Sequence, residues 1–296
     1  MVIRYEGQLY RPPSEANSLI LQATIGCSYN ECSFCGMYRD KKFRVRPLDE
    51  LEREIAEVAA MPGANEMVRK VFLADGDALV AKPKFLAALC DRLNEAFPHL
   101  RRISCYASPQ SLQVRTVEQM AMLREKGLTL YYLGIESGDD PTLEFLVKGV
   151  DADEMVRVAN KATDAGVALS TMILLGAGGR ERSREHALGS AAVVNRIQPR
   201  FVSTLVMTPV ENTPLFEQAA RGEVDDLSPI ELAVELRTFL GALVVSGSIF
   251  RSNHASNTLT LSGTLPKDQP RLLRTLDAVL ADPANAPFVP NWMRAL

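Results

Sequence analysis

Short apolar segments alternate with helical patterns along most of the chain, and this alternation constrains the fold more than any other feature. The segments are apolar on both faces, which is typical of strands buried within a parallel sheet. They lie at residues 18–25, 70–75, 102–107, 129–135, 167–175 and 201–207.

Apolar residues at helical spacing occupy the intervals between these segments. One such pattern runs from Leu48 to Val58, and another ends at Gly166, a residue type that commonly follows the last helical turn. The sixth helical pattern begins at Ser228-Pro229-Ile230-Glu231, which combines a capping box with proline at the first helical position. Strand–helix units in series predict an α/β fold, either a parallel barrel or an open sheet.

Polar or glycine-rich residues follow the predicted strands directly. These residues are the segment that contains Cys27, Asp75-Gly76-Asp77, Ser108-Pro109-Gln110, Glu136-Ser137-Gly138, Gly176-Ala177-Gly178-Gly179 and Thr208-Pro209. Barrel enzymes build their active sites at the carboxyl ends of the strands. This arrangement therefore predicts an enzyme rather than a simple binding module.

Three of the five cysteines, Cys27, Cys32 and Cys35, lie in the stretch GCSYNECSFCGMY. A structural zinc site needs four ligands, but Cys90 and Cys105 fall in a helical pattern and a strand, where we predict buried core residues. A [4Fe–4S] cluster with three protein thiolates keeps one iron open for another ligand, so it fits the number of cysteines. A non-catalytic iron–sulfur or zinc-binding protein remains the alternative.

The composition is that of an ordinary globular protein, with 47% hydrophobic residues, 23% charged residues and a net charge of −3. Such a balance does not indicate a nucleic-acid or membrane-surface partner. No apolar segment approaches the ~20 residues that span a bilayer, and no signal peptide is apparent. We therefore predict a cytoplasmic location, where thiols stay reduced.

The chain resembles the radical S-adenosylmethionine (SAM) superfamily, and within it the branch of methylthiotransferases and oxygen-independent coproporphyrinogen oxidases. The cysteine triplet and the strand–helix series carry this resemblance over residues 18–215. It implies a partial (β/α)6 TIM-like barrel. One departure is the spacing C-x4-C-x2-C, because the usual motif of the superfamily is C-x3-C-x2-C.

The resemblance also assigns the site residues. Cys27, Cys32 and Cys35 would ligate the [4Fe–4S] cluster, and the amino and carboxylate groups of SAM would bind its fourth iron. The positions that it assigns to SAM are Phe34 near the adenine, Asp75, Gly76 and Asp77 at the amino group, Glu136 at the ribose or methionyl part, Lys148 at the carboxylate, and Leu174 and Gly176 near the adenine.

The implied function is reductive cleavage of SAM to a 5′-deoxyadenosyl radical, which abstracts hydrogen from a small polar substrate. Flavodoxin or ferredoxin would be the electron donor. A methylthiotransferase would need three more ligand cysteines, and no basic nucleic-acid surface is evident. A small-molecule substrate is therefore favoured over nucleic acid, with a tRNA-modifying radical SAM enzyme as the alternative.

We expect residues 1–215 to form the core and residues 216–296 a helical extension of the same domain. Within the extension, the polar segment 251–257 is predicted to line the substrate pocket. His254 would donate a hydrogen bond or transfer a proton, and the Arg251 guanidinium would bind an anionic group. A solvated loop is the alternative for this segment.

The basic residues between Arg39 and Arg46 are interpreted as a solvated loop, because surface charges need no partner.

Overall fold

The computed structural model describes residues 3–294 of the chain. Its strands are β1 (Leu19–Gln22), β2 (Thr24–Ile25), β3 (Arg44–Val45), β4 (Lys70–Ala74), β5 (Arg102–Ala107), β6 (Leu128–Glu136), β7 (Ala168–Leu175), β8 (Phe201–Val206), β9 (Ile249–Ser252) and β10 (Leu261–Thr264). Its α-helices are α1 (Leu48–Ala59), α2 (Ala64–Met67), α3 (Pro83–Ala96), α4 (Pro109–Gln113), α5 (Val117–Glu125), α6 (Asp140–Phe145), α7 (Ala152–Asp164), α8 (Gly179–Ile197), α9 (Pro214–Ala220), α10 (Pro229–Ala242) and α11 (Gln269–Ala281).

The strand order is β1-β4-β5-β6-β7-β8-β9-β10, and β2 pairs with β3 in a separate two-stranded sheet. The pairs β1–β4, β4–β5, β5–β6, β7–β8 and β8–β9 are parallel, whereas β9 and β10 are antiparallel. All six predicted strand segments form strands, and the predicted α/β fold is confirmed. The capping box at the start of α10 is also formed, because Ser228 N donates to Glu231 Oε2 at 2.7 Å.

The chain divides into two compact units. The first contains residues 3–30, 37–133 and 158–169, and the second contains residues 31–36, 134–157 and 170–294. β6 and β7 each begin in the first unit and end in the second. The expected boundary between residues 215 and 216 stays a prediction.

The core of the first unit contains the two cysteines that were predicted to be apolar core residues. Cys90 on α3 and Cys105 on β5 are fully buried. Burial raises the pKa of the Cys90 thiol to about 12, so this side chain stays protonated and behaves as a small apolar residue. The assignment of these two cysteines to the core is confirmed.

In the second unit, one face of the sheet is buried, and the other is open around Met172, Ser203 and Arg251 but covered at Leu174, which lies in a buried cluster with Phe34. Thr171, Val202 and Phe250 are buried, while their sequence neighbours Met172, Ser203 and Arg251 are partly or largely exposed. The buried face packs on α10, because Leu175, Val206, Leu232 and Leu236 line one small cavity together. The opposite face of β7, β8 and β9 is therefore the one available to a ligand.

We predicted a helical extension after residue 215, but the structure shows that this part of the chain also contains strands. β9 continues the parallel pairing of β8, and β10 closes against β9. The physical reason is the alternation in β9, where Phe250 and Ser252 are buried and Arg251 is exposed, as in a strand with one covered face. Arg251 lies within this strand rather than in a loop.

A buried carboxylate fastens the N-terminal segment to the first unit. Glu15 is fully buried, and its Oε1 accepts hydrogen bonds from Arg102 Nη2 at 2.7 Å, Ser104 Oγ at 3.1 Å and Tyr132 Oη at 2.5 Å. Ser18 Oγ donates to its other oxygen. A charge buried in this way is tolerated only because its partners surround it.

We predict that Glu15→Ala lowers the free energy of unfolding by about 3–5 kcal/mol, because it leaves three donors and one cation without their acceptor. Urea denaturation measures the change. Glu57→Ala, which removes an exposed carboxylate on α1, is the matched control and should change the stability by less than about 0.5 kcal/mol. Equal effects of the two substitutions would contradict this account of Glu15.

Candidate active site

The segment that contains Cys32 and Cys35 is held by the backbone and side chain of Ser33, which lies between them. Ser33 N donates to Leu146 O at 3.0 Å, and Ser33 Oγ donates to Phe145 O at 3.0 Å. Leu215 N donates to Ser33 O, also at 3.0 Å. Three hydrogen bonds at one buried residue fix the direction in which the flanking cysteines leave the backbone.

Phe34 anchors the same segment by apolar contact. Its ring packs against a buried cluster of Leu146, Leu174 and Ala177, to which Phe145, Leu205 and Met207 also contribute. Leu174 is the penultimate residue of β7, and Gly176 follows that strand with a positive φ of 83°. The structure therefore brings together Phe34 and Leu174, both of which were predicted to lie near the adenine of SAM.

Glu136 and Lys148 form an ion pair that is almost buried. Lys148 Nζ donates to Glu136 Oε1 at 3.1 Å, and the two side chains are only 9% and 13% exposed. A Cβ at Gly134 would lie 1.9 Å from Glu136 Oε1, so the carboxylate occupies space that only glycine leaves open. Glu136 and Lys148, which were predicted separately as SAM-binding residues, thus form a single ion pair.

The charges of this pair act on the nearby cysteines. Burial raises the pKa of the Cys32 thiol, Lys148 lowers it, and Cys35 and Glu136 raise it, so that the pKa lies above its ordinary value. Burial lowers the pKa of Lys148, but Glu136, Cys32 and Cys35 together raise it above its ordinary value. The ammonium of Lys148 therefore lies within the electrostatic field of both thiols.

In the first unit, the Asp75 carboxylate organises the backbone just before Cys27. Its Oδ2 accepts from Gly26 N at 3.1 Å, Gln22 Nε2 at 3.2 Å and Lys41 Nζ at 2.8 Å. Its other oxygen, Oδ1, is buried and has no hydrogen-bond partner among the residues that the structure describes. A fully buried acceptor without a partner is uncommon in native proteins.

Lys41 corrects the interpretation of residues 39–46 as a solvated loop. Its side chain is only 4% exposed and, besides its ion pair with Asp75, donates to Gln8 O at 2.7 Å. Arg46 is likewise paired with Glu54 at 2.7 Å. Lys41 is buried because the fully buried Asp75 requires a cation as its partner. Asp75 is distant in the sequence, so the residues around Lys41 gave no sign of this pairing.

Gly76 is needed because its Cα is closely covered. A Cβ at this position would lie 2.6 Å from the Tyr38 ring and 2.9 Å from Cys27 Cβ. Gly76 N also donates to Gly26 O at 3.2 Å. The residue predicted to contact SAM thus packs directly against the first of the three cysteines.

Asp77 lies in the interior of the first unit. Its Oδ2 accepts from Ser28 Oγ and from Ser108 Oγ, both at 2.6 Å, and its Oδ1 accepts from Ser108 N at 3.3 Å. Burial raises the pKa of this carboxyl, while these hydrogen bonds lower it by less. Asp77 therefore joins the loops that follow β4 and β5 to the residue after Cys27, and its direct contact with SAM stays a prediction.

Arg251 and His254 occupy different environments in the second unit. Arg251 is exposed on the open sheet face, in register with Ser203 of β8, and its Nη1 donates to Phe250 O at 2.7 Å. The half-buried His254 accepts from Ser256 N at its Nδ1 at 3.1 Å. Ser256 Oγ in turn accepts from Val206 N at 3.1 Å, which ties this turn to the end of β8.

The sequence prediction missed three charged or titratable residues of importance: Lys41, His186 and Glu235. His186 adjoins the apolar pattern of α8, and Glu235 lies within α10, where helical spacing alone identifies a buried position but not its partner. Only the basic run gave a local signal for Lys41.

No group of three histidine, cysteine or acidic side chains that could hold a metal ion occurs among residues 3–294. Over the same range none of the five cysteines forms a disulfide. The assignment of Cys27, Cys32 and Cys35 as iron ligands therefore rests on their motif and stays a prediction.

Comparison with known families gives the context for this motif. The family model described as the radical SAM superfamily matches residues 21–190, which is more than half of the chain. The chain belongs to the radical SAM superfamily. Enzymes of this superfamily use a [4Fe–4S] cluster to cleave SAM reductively, so the predictions of an enzyme and of these two cofactors are confirmed at the level of the superfamily.

Solved radical SAM structures share the fold. Methylornithine synthase is 21% identical with a TM-score of 0.53, and the match covers 77% of this chain and 63% of that one. Coproporphyrinogen III oxidase from Escherichia coli is 19% identical with a TM-score of 0.57, covering 76% and 52%. The FeFe-hydrogenase maturase HydG from Carboxydothermus hydrogenoformans is 17% identical with a TM-score of 0.52, covering 77% and 52%.

These similarities confirm the partial-barrel fold alone, and the branch within the radical SAM superfamily stays a prediction. The chain corresponds to between half and two thirds of the length of the three solved proteins. Among residues 3–294, no helix has the length and apolar character required to cross a membrane.

The residues of the second unit fit a radical SAM cluster in their chemistry. Cysteine thiolates are the usual ligands of iron–sulfur clusters, and both Cys32 and Cys35 are partly exposed. The adjacent Lys148 offers a positive charge to the cysteine thiolates or to a carboxylate.

We predict that Lys41→Met reduces the iron bound per chain after anaerobic reconstitution of this radical SAM protein. The substitution leaves the buried Asp75 carboxylate without its cation, which should also lower the free energy of unfolding by about 3–5 kcal/mol. The Gly26–Cys27 backbone then loses the acceptor that orients it. Iron content and urea denaturation measure the two effects.

The matched control is Lys42→Met, which removes an exposed lysine next in the sequence and should leave both quantities near those of the wild type. Wild-type iron content in Lys41→Met would show that Asp75 and Lys41 do not organise the cysteine segment.

Proposed function

We propose that this radical SAM enzyme abstracts a hydrogen atom from a small polar substrate. When bound, a cluster on Cys27, Cys32 and Cys35 supplies the electron that splits SAM into methionine and the 5′-deoxyadenosyl radical, which takes hydrogen from the substrate and becomes 5′-deoxyadenosine. The observation that carries the proposal is the hydrogen-bonded Cys32–Cys35 segment within the electrostatic reach of the Glu136–Lys148 ion pair.

Ser33 and Phe34 hold the two cysteines of the second unit in one direction. Three hydrogen bonds at Ser33 and the apolar contacts of Phe34 limit the rotation of this segment. Preorganised ligands lose little conformational entropy when they bind. The segment is therefore suited to hold iron with a constant geometry through repeated turnover.

Glu136 and Lys148 supply opposite charges for the two ends of an amino acid. Lys148 suits the carboxylate of SAM, and Glu136 suits its amino or ribose hydroxyl groups. Because both side chains are nearly buried and already paired, they do not need to be ordered when SAM binds. Phe34 and Leu174 provide an apolar surface for the adenine.

The first unit contributes an acceptor and a close backbone approach. Asp75 accepts from the backbone N–H of Gly26, directly before Cys27, and Gly76 leaves Cys27 Cβ uncovered by any side chain of its own. Asp77 supports this arrangement by holding Ser28 and Ser108. We assign Asp77 a supporting position here rather than a reacting one.

The electron for the cluster must come from outside the chain. A flavodoxin or ferredoxin is the chemical class of donor that fits a low-potential iron–sulfur centre. In the laboratory, dithionite replaces it.

We predict that the reconstituted and reduced wild type converts SAM to 5′-deoxyadenosine, and that Cys32→Ala abolishes both this product and the thiolate–iron absorption near ~410 nm. Anaerobic assay with dithionite and SAM, followed by chromatography, measures the product. Cys90→Ala, which removes a buried core thiol, is the control and should retain both.

Absence of 5′-deoxyadenosine from a wild type that contains the full complement of cluster iron would favour the non-catalytic iron–sulfur protein. Loss of the cluster from Cys90→Ala would contradict the three-ligand assignment.

The open sheet face of the second unit supports a polar, anionic substrate. Met172 of β7, Ser203 of β8 and Arg251 of β9 lie in one cross-strand row on this face. Arg251 Nη1 is held by Phe250 O at 2.7 Å, which orients the guanidinium for a carboxylate or phosphate group. Because Ser203 and Arg251 are partly exposed, a ligand can reach them.

His254 suits the role of a hydrogen-bond donor. Its Nδ1 accepts from Ser256 N, so the neutral ring carries its proton on Nε2. Burial lowers the pKa of this imidazole, which favours the neutral form near pH 7. A neutral ring can donate to a substrate oxygen without adding charge.

We predict that Arg251→Ala retains uncoupled SAM cleavage but loses stimulation by anionic substrates by about tenfold or more, because a charge-assisted hydrogen bond is lost. The probe is a metabolite extract separated into anionic and neutral fractions by ion exchange. Formation of 5′-deoxyadenosine is measured with each fraction.

Arg274→Ala, which removes an exposed arginine on α11, should behave as the wild type. Equal stimulation of Arg251→Ala and the wild type, or stimulation by the neutral fraction alone, would contradict an anion site at Arg251.

A further inference from the structure

A fully buried carboxylate lies behind the turn that follows β7. Glu235 on α10 is 1% exposed. Its Oε1 accepts from Gly176 N at 2.7 Å, and its Oε2 accepts from Ser183 Oγ at 2.5 Å. Gly176 follows β7 directly with a positive φ of 83°, and its buried N–H is satisfied by this side chain.

A buried histidine faces the same carboxylate from α8. His186 Nε2 lies 3.5 Å from Glu235 Oε1, and it makes no hydrogen bond among the described residues. On the other side of the ring, His186 Nδ1 lies 2.8 Å from Ser137 Oγ, directly after Glu136. The imidazole thus lies between the turn that follows β6 and the carboxylate that holds the turn after β7.

One arrangement of the protons connects Ser137, His186 and Glu235 in series. Ser137 Oγ accepts from Asp139 N at 3.0 Å, so its own hydroxyl proton can be donated to His186 Nδ1. The ring proton then lies on Nε2, where it faces Glu235 Oε1. With Glu235 ionised, the opposite tautomer would place the Nε2 lone pair against a carboxylate oxygen.

Helix α8 also fixes the turn after β6 by close packing. Gly138 N donates to Ser190 Oγ at 3.0 Å, and a Cβ at Gly138 would lie 2.2 Å from Gly189 O. The turn that begins at Glu136 is therefore seated on the same helix that carries His186. Neither turn can move without disturbing the buried polar residues behind it.

Burying these two titratable groups has a cost in desolvation free energy, so their presence indicates a role that apolar residues could not fill. Burial lowers the pKa of His186 to about 4, against smaller opposing effects of Asp139 and the Leu174 carbonyl. Burial also raises the pKa of Glu235 to about 7, against the hydrogen bonds from Ser183 and Gly176. Apolar residues of similar volume would avoid these desolvation penalties.

We propose that Ser137, His186 and Glu235 form a positioning relay that fixes the spacing between the turn after β6 and the turn after β7, and thereby sets the affinity for SAM. The relay touches neither iron nor SAM directly. It acts through Glu136 on one side and Gly176 on the other. This inference rests on the proposed function, because it assumes that these two residues contact SAM.

The first test is Glu235→Ala in the full-length protein. The substitution should increase hydrogen exchange at the Gly176 amide, followed by mass spectrometry of peptides that cover residues 174–178. It should also raise the Kd of the reconstituted protein for SAM by about tenfold, because one turn loses its buried acceptor.

Glu235→Gln is the conservative variant. Its amide oxygen can still accept from Gly176 N, and its amide nitrogen can donate to Ser183 Oγ. Exchange and SAM affinity should therefore both return close to wild-type values. Failure of Glu235→Gln to restore either quantity would overturn the relay, because the hydrogen bonds alone would then not explain the effect.

The second test is a double-mutant cycle between the ends of the relay. Ser137→Ala and Glu235→Ala should each weaken SAM binding, and the double variant should be little weaker than either single variant, because one broken link already frees the two turns. Strictly additive effects would show that the two turns are held independently and would overturn the relay.

Leu240→Ala, which removes a fully buried apolar side chain from the same helix, is the control for general destabilisation. It should lower the thermal midpoint of unfolding. SAM affinity and Gly176 exchange should stay at wild-type values when they are measured about 20 °C below that midpoint, where the native state dominates. An equal loss of SAM affinity in Leu240→Ala would reduce Glu235 to a purely structural residue and overturn the proposal.

The exchange experiment separates the two levels of inference, because it needs neither cluster nor SAM. A wild type that does not bind SAM, together with increased Gly176 exchange in Glu235→Ala alone, contradicts the proposed function and supports the relay as a structural link. A wild type that binds SAM, together with unchanged exchange in Glu235→Ala, supports the proposed function and overturns the relay.

Discussion

Charge buried where strands end is the constraint on which the rest of this structure depends. The Asp75 and Glu136 carboxylates are each almost or fully buried, and each has a lysine within 3.1 Å. Without Lys41 and Lys148 these charges would be too costly to bury, and the turns that carry them could not take their present paths. The cysteine segments lie next to the turns that carry Asp75 and Glu136, so these turns help to determine where the cysteines lie.

Much of the fold follows from local patterns in the sequence. The apolar periodicity predicts the central strands and helices because it is a local property of each segment. Strands buried on both faces are continuously apolar, and helices buried on one side carry an apolar stripe. β9 and β10 escaped prediction because their four-residue strands alternate too briefly to be distinguished from a loop. Arg251 was consequently predicted as part of a polar pocket-lining segment, with a solvated loop as the alternative, although its register with Ser203 makes it part of a strand.

The site was predictable to the extent that its chemistry is local. The spacing of Cys27, Cys32 and Cys35 predicts a cluster ligand set, and Glu136 was predicted from its place after a strand. The partners were not predictable, because the ion pair between Lys41 and Asp75 joins residues that share no local pattern. The same applies to His186, whose partners Ser137 and Glu235 come from two other segments of the second unit.

The central claim is that three cysteines leave one iron of the cluster open to SAM. Electron paramagnetic resonance of the reduced protein, with SAM labelled with ¹⁷O at its carboxylate or ¹⁵N at its amino group, tests this claim most directly. The account predicts hyperfine coupling from both labels, together with a change in the cluster spectrum when SAM is added. A spectrum that is identical with and without SAM, and free of coupling to either label, would contradict it.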